Sequence, residues 1–348
     1  MARRRRRLLL GLVVPSTSEA RLYGVDTSGC AQYLNKTLAP IEAPMHRITS
    51  FGDAAALVEE LFAFYHCKHV YLDVGTNVGM QIRKLYQPAN FSRASIRPTF
   101  RHFFGRSPLC SGVCAIGMEP NPEHARRLNS LETNMRRAGA GVLYLPVAAS
   151  DSTHANLTFR RAGSDHHAAD CDRDAVSFSA AARERVPRSS GKDKRQEADG
   201  AGGGGVRVQS IDLSRLIELI GARLRGGGAR AVNGRAPSLV MKLDTEGHEA
   251  AVVPHLIRER VALCAVDFMS IEWHERLPAL DAGMRRGARA ARAQLSAALS
   301  RGGSTSISCP TGRAPAKVST MDDETYRFPK YTDNLAWPNR TLLCGAKL

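Results

Sequence analysis

Val70-Tyr71-Leu72-Asp73-Val74-Gly75-Thr76-Asn77-Val78-Gly79 joins an apolar run to two glycines four residues apart, and Met80, Ile82 and Leu85 follow at helical spacing. The pattern predicts a strand, a tight turn and the start of a helix. Glycine has no Cβ and tolerates positive φ, so such a turn admits a ligand close to the backbone. Far along the chain a second stretch answers it: Met241-Lys242-Leu243-Asp244-Thr245-Glu246-Gly247-His248-Glu249. The functional reading depends on these two stretches meeting in space.

Outward from that turn, strands and helices alternate. Residues 52–65 place Leu57, Leu61 and Phe64 on one helical face. Strands are expected over His69–Val74, Val113–Glu119 and Val142–Ala149. Asn121-Pro122-Glu123 opens a helix, with Asn as cap, Pro at the first helical position and an acid near the positive dipole end; Gly139 stops it. Residues 88–112, rich in Arg, Phe and Pro, read as an insertion. Residues 162–205 contain Gly-Ala-Gly-Gly-Gly-Gly and many charges, a composition unable to bury apolar area, and predict a disordered loop. Structure resumes with a strand at Val206–Ile211 and a helix carrying Leu213, Leu216, Ile217 and Ile220. A Gly/Arg loop at about 224–236 precedes a strand at Leu239–Leu243, a helix to Arg258, a strand at Cys264–Trp273 and an Ala/Arg helix over Gly283–Ser300. Short strands are expected near Thr305–Cys309 and Thr341–Cys344. The alternation predicts an α/β domain over 51–348, with a single doubly wound, mostly parallel sheet and loop insertions, after an irregular segment at 21–50.

Charge is lopsided: 49 Lys and Arg against 33 Asp and Glu give a formal net charge of +16. With Arg, Ala and Gly abundant, such a balance reads first as a compositional bias, and the alternative is an acidic partner such as nucleic acid, a sulfated glycan or a phosphate. No basic stripe interleaves with aromatics, so nucleic acid is not an expected partner. At the N-terminus, Arg3–Arg7, the apolar Leu8–Val14 and Ser18-Glu19-Ala20 follow the order of a secretory signal peptide over 1–20. The Arg-rich, nearly acid-free segment also fits an organelle transit peptide. No stretch approaches the about 18 apolar residues of a membrane span. Asn35, Asn90, Asn156 and Asn339 each head a glycosylation triplet. Eight cysteines, an even count, fit disulfides in an oxidising compartment, although spacing does not give their pairing. Cys264 is expected as a free thiol in a buried strand, among Val261, Leu263, Ala265 and Val266. No Cys or His grouping repeats at ligand spacing, so no metal site is expected, including at His166 and His167 beside Asp165, Asp170, Cys171 and Asp172.

Asp73, Gly75, Gly79, Glu119, Asp151, Asp244, Glu246 and Glu272 all fall at or just after predicted strand ends, where open α/β sheets bind ligands. Glu119 ends the second strand, where an acid accepts ribose hydroxyls of an adenosine-containing cofactor. The pair Gly75-x-x-x-Gly79 lacks the third glycine of a dinucleotide fingerprint and the Lys and Ser/Thr of a P-loop. Asp73 would repel a pyrophosphate but suits a cationic group. Together these features favour S-adenosyl-L-methionine (SAM) over NAD. Glu119 stands 46 residues after Asp73, so the insertion must loop out to keep them adjacent.

Six pieces in order carry a family resemblance: Leu-Asp-Val-Gly-Thr-Asn-Val-Gly at 72–79, Glu-Pro-Asn-Pro at 119–122, Val-Ala-Ala-Ser-Asp at 147–151, Val-Gln-Ser-Ile-Asp at 208–212, Lys-Leu-Asp-Thr-Glu-Gly-His-Glu at 242–249 and Ile-Glu-Trp-His at 271–274. Over about residues 65–305 the chain resembles the FkbM-type SAM-dependent methyltransferases. The resemblance implies a Rossmann-like class I methyltransferase fold and O-methylation of a small-molecule or glycan hydroxyl. It places Asp73, Gly75 and Gly79 at the methionine end of SAM, Glu119 at the ribose and Ser150 or Asp151 at the adenine, with Asn77 and Asn121 among the cofactor-binding residues. Asp244, Glu246 and Glu249 would face the acceptor. In-line methyl transfer needs a base for the acceptor proton. Asp244 is the first choice and Glu246 the next, with His248 and His274 also suited by their neutral-range pKa. The structural alternatives are ordinary: Glu246 and Glu249 as first-turn acids, His248 on a helix surface, Glu272 and His274 as satisfied polar groups, and Lys242 paired with one of these acids. No Asn/Asp-Pro-Pro-Tyr motif of amino methylation is present. A catalytically inactive glycan-binding protein on the same fold is the other reading.

Overall fold

The computed structural model describes residues 46–152, 155–161, 178–179, 206–226, 235–275, 282–300, 307–309 and 313–320. The predicted signal peptide, His166 and His167, almost all of the 162–205 loop and the strand expected at Thr341–Cys344 lie outside the described residues. In chain order the elements are α1 (Phe51–Tyr65), β1 (His69–Val74), α2 (Met80–Tyr86), α3 (Arg97–Phe104), β2 (Val113–Met118), α4 (Pro122–Arg137), β3 (Gly141–Leu145), β4 (Ala148–Ser150), β5 (Ala155–Arg161) and β6 (Phe178–Ser179). They continue with β7 (Val206–Asp212), α5 (Leu213–Gly226), β8 (Ser238–Leu243), α6 (Glu249–Arg258), α7 (Arg260–Ala265), β9 (Phe268–Ile271), α8 (Ala282–Leu299) and β10 (Lys317–Thr320).

The central sheet has six strands in the order β10-β9-β8-β1-β2-β3, and every neighbouring pair is parallel. Every residue of β1, β2 and β8 is buried. That is why these strands read as continuous apolar runs: helices cover both faces of a parallel sheet. The chain winds outward from β1 in both directions, so the switch point lies between β1 and β8. Register places Val74 beside both Met118 and Leu243, which brings three strand ends to one level. The loops that follow are stitched there. Gly75 and Thr76 N–H donate to Met118 O at 3.0 and 2.9 Å, and Asp244 N–H donates to Val74 O at 2.9 Å. The two distant stretches of sequence therefore do meet.

Several expectations need correction. The sheet is not single: β4-β7-β5-β6 forms a separate four-stranded sheet. The expected strand over Val142–Ala149 is two strands, β3 and β4, with Pro146 between them. Proline donates nothing to a ladder, and the chain passes to the other sheet at that point. The 88–112 insertion does not simply loop out. Its helix α3 buries Phe100 and Phe104, and Phe100 meets Tyr71 of β1 edge-on at 4.9 Å between ring centres.

Cys264 is neither free nor in a strand. It lies in α7 and is bonded to Cys309, while Cys67 is bonded to Cys114. Ala262, Leu263, Cys264 and Ala265 are all buried, and a short apolar run of this kind does not distinguish buried helix from buried strand. The edge strand β10 was not foreseen, and residues 307–309 are not in a strand. Cys264–Cys309 closes a sequence separation of 45 residues. Restricting the unfolded chain by that loop is worth ~4 kcal/mol in the chain-entropy view. The Cys264→Ala/Cys309→Ala variant should accordingly unfold at a clearly lower denaturant midpoint. An unchanged midpoint would show that this bridge contributes nothing. Among the described residues no helix is long and apolar enough to cross a membrane.

Candidate functional site

The ends of β1, β2 and β8, with the segment entering β4, frame a cleft that encloses ≈ 580 Å³ of space open to solvent. Glu119 anchors one end. Its Oε2 accepts the Asn77 N–H at 2.7 Å and its Oε1 accepts the Asn121 N–H at 2.8 Å. Asn77 adopts a left-handed backbone, φ 52°, which Asn tolerates better than most residues and which aims its N–H at the carboxylate. Burial pushes Glu119 up to about 7 against the pull of those two N–H groups. Each carboxylate oxygen retains a second lone pair for a ligand hydroxyl. His124, in the first turn of α4, also lines this end, with Nδ1 3.8 Å from Glu119 Oε1. The sequence reading missed it, although its place just inside a helix that opens on Asn-Pro was a usable signal.

The two glycines differ in role. Gly75 lines the cleft with φ +80°, and a Cβ there would stand 1.6 Å from the Asp244 carbonyl oxygen. Gly79, with φ +81°, faces the protein: its Cβ would meet Leu131 Cδ2 at 2.4 Å and Tyr144 Oη at 2.8 Å. Both positions are required to be glycine by the chain's own packing. Asp73 is fully buried and is not among the lining residues. Burial raises it to about 6, with Lys242 pulling the other way, and its Oδ2 has no hydrogen-bond partner among the described residues. Asn121 serves as the cap of α4, accepting the Glu123 N–H at 2.9 Å. Ser150 is buried and donates to Asp151 Oδ1 at 3.2 Å, whereas Asp151 is exposed. Val147, Ala148 and Ala149, just before them, form the apolar wall instead.

The other end of the cleft is acidic. Lys242, buried inside β8, donates to Asp244 Oδ2 and lies 3.9 Å from Glu272 Oε2. Glu249 is fully buried and accepts the Thr245 N–H at 2.8 Å, the Thr245 hydroxyl at 3.0 Å and the Gly247 N–H at 3.0 Å. It is the first-turn acid of α6, as the sequence allows, and it also staples the loop before that helix. His274 Nδ1 sits 3.1 Å from Glu249 Oε1. Its Nε2 is 3.5 Å from Asp244 Oδ1, 3.5 Å from Glu246 Oε2 and 3.7 Å from Glu272 Oε1. Burial opposes its charge, but the Glu249 hydrogen bond and the surrounding carboxylates outweigh it and push the imidazole up to about 10. His274 therefore carries a proton at neutral pH and is a poor base.

Glu246 lines the cleft at φ 51°, a left-handed conformation rarely adopted by a non-glycine residue and frequent at functional sites. Burial pushes its carboxyl up to about 7, with His274 pulling it down. His248 is not on a helix surface. It is buried at the N-terminus of α6 and lines the cleft, and its Nε2 has no hydrogen-bond partner among the described residues. Burial lowers its pKa, so the ring is neutral. The site thus joins Gly75, Asn77, Glu119, Asp244, Glu246 and His248 around one cleft, with His274 behind the acids. Asp73, Gly79, Asn121, Ser150 and Asp151 support its walls without lining it. Compared with known protein families, curated proteins and solved structures, the chain matches none.

Proposed function

We propose that the chain is a SAM-dependent O-methyltransferase acting on a hydroxyl of a carbohydrate or glycan. The observation that carries this reading is a single cleft at the switch point, with a buried carboxylate, Glu119, after β2 at one end and the acids after β8 at the other. The cofactor fits the residues present. Glu119 offers two lone pairs to vicinal ribose hydroxyls, Val147–Ala149 offer an apolar wall to a purine, and Asp244, which lines the cleft, offers negative charge to a sulfonium. Bound SAM supplies an electrophilic methyl group. The chain supplies everything else. Lys242 holds Asp244 in place, Glu249 fixes the loop that presents Glu246, and Glu246 takes the acceptor proton as its oxygen attacks. The ordered motifs resembling the FkbM-type family support the same reading. Two buried disulfides and the signal-like N-terminus support a place in the secretory pathway.

The direct test is to incubate the purified chain with methyl-labelled SAM and a panel of neutral and sulfated glycans. Label is expected on a hydroxyl oxygen of at least one acceptor. A glycan that binds but is never labelled, together with no measurable SAM affinity, would favour the inactive glycan-binding reading.

A further inference from the structure

Behind the acidic end of the cleft, three side chains from two loops converge. Asp244 follows β8, while Glu272 and His274 follow β9, and one ligand atom from each lies within 4.8 Å of the others. We propose that Asp244, Glu272 and His274 bind a divalent first-row cation of the manganese or zinc type, which holds the acceptor oxygen at the methyl-transfer site. The role assigned to the ion rests on the methyl-transfer reading; the site itself does not.

The three donor atoms lie within 4.8 Å of one another, near the spacing of a coordination shell. Asp244 Oδ1 and Glu272 Oε1 stand 3.5 and 3.7 Å from His274 Nε2. Ligands about 2.0–2.2 Å from one ion are separated from each other by about 3–3.6 Å. The Lys242 ammonium faces the opposite oxygens, Asp244 Oδ2 and Glu272 Oε2, so it orients the carboxylates without filling the space at Nε2. A second observation is that His274 Nε2 and Asp244 Oδ1 face each other at ion-pair distance, 3.5 Å, with no hydrogen bond between them. The His274 side chain is 9% exposed and only its Nδ1 is hydrogen-bonded among the described residues, to Glu249. Asp244 Oδ1 is buried without a hydrogen-bond partner. An imidazole whose far nitrogen is fixed by a carboxylate is the usual support for a metal-binding histidine. Charge agrees: Asp244, Glu246, Glu249 and Glu272 gather about the His274 ring and the Lys242 ammonium. Mixed carboxylate and imidazole donors suit manganese or zinc better than magnesium or calcium, which take oxygen. From Asp244 the ion would border the cleft beside Glu246, where an acceptor hydroxyl must sit.

The test uses the full chain and manganese(II) chloride. Calorimetry should show one bound Mn²⁺ per chain, and the Mn²⁺ paramagnetic resonance spectrum should carry hyperfine coupling from a single imidazole nitrogen. Glu272→Gln and His274→Ala should each weaken binding at least tenfold, with SAM affinity within twofold of wild type. No Mn²⁺ binding, no nitrogen coupling, or unchanged affinity in both variants would overturn the site. The wild-type spectrum decides the matter even if a variant fails to fold. Mn²⁺ binding that depends on these residues, in a chain with no SAM affinity, would leave the cation site standing and remove the cofactor reading.

Discussion

Gly75→Ala should leave little or no folded protein. The added Cβ would lie 1.6 Å from the carbonyl oxygen of Asp244 and 2.7 Å from its carbonyl carbon. Both atoms are backbone, so no side-chain rotation relieves the overlap. The residue also sits at φ +80°, where a non-glycine residue costs about 1–3 kcal/mol before any clash. Relief requires separating the loops after β1 and β8, which Asp244 N–H and Val74 O hold at 2.9 Å. The total belongs to the exceptional class beyond about 4–5 kcal/mol. Gly226→Ala is the control, since its Cβ meets nothing within 4 Å. Denaturant unfolding of both variants checks the claim. A Gly75→Ala protein as stable as Gly226→Ala would show that the two loops are not packed as described.

Glu246→Gln should lower methyl transfer by about 10²–10⁴-fold, the span of a positioned general base. SAM affinity should change little, because Glu119 and the apolar wall lie at the other end of the cleft. On the methyl-transfer proposal, Glu246 is the best base on electrostatic grounds. Asp244 is engaged by Lys242, and His274 holds its proton. Burial brings Glu246 up to about 7, close to the working pH. The sign follows: the ionised form is the active one, so the wild-type rate should fall about tenfold per pH unit below about 7. The neutral ring of His248 is the competitor. A rate that survives Glu246→Gln but collapses in His248→Ala, without an acid limb near pH 7, would move the base to His248.

Much of this arrangement was legible in the chain. The apolar run ending in Asp73 and the one ending in Leu243 are both continuous, as strands buried on both faces must be, and the Asn121-Pro122 opening of α4 is local chemistry. The pairing of Lys242 with an acid followed from a lone cation inside an apolar strand. What escaped was decided by tertiary contacts. Cys264 reads as strand or helix equally well until Cys309 is known to lie beside it. His248 follows a glycine at a helix start, a place normally open to solvent, yet the cleft wall buries it. The Asp244, Glu272 and His274 set has no sequence spacing to recognise, because the parallel pairing of β8 with β9 creates it.

Calorimetric titration of SAM into the wild-type chain and the Glu119→Ala variant tests the central claim most directly. Hydrogen bonds to a charged group are worth about 1.5–3 kcal/mol, so the variant should lose at least about tenfold in affinity. Because burial places Glu119 at about 7 and the ribose hydroxyls need its ionised form, wild-type affinity should strengthen as pH rises through that value and the variant's should not. One SAM per chain with this dependence is the expected result. A wild-type protein that is folded but releases no heat with SAM at any pH would contradict it.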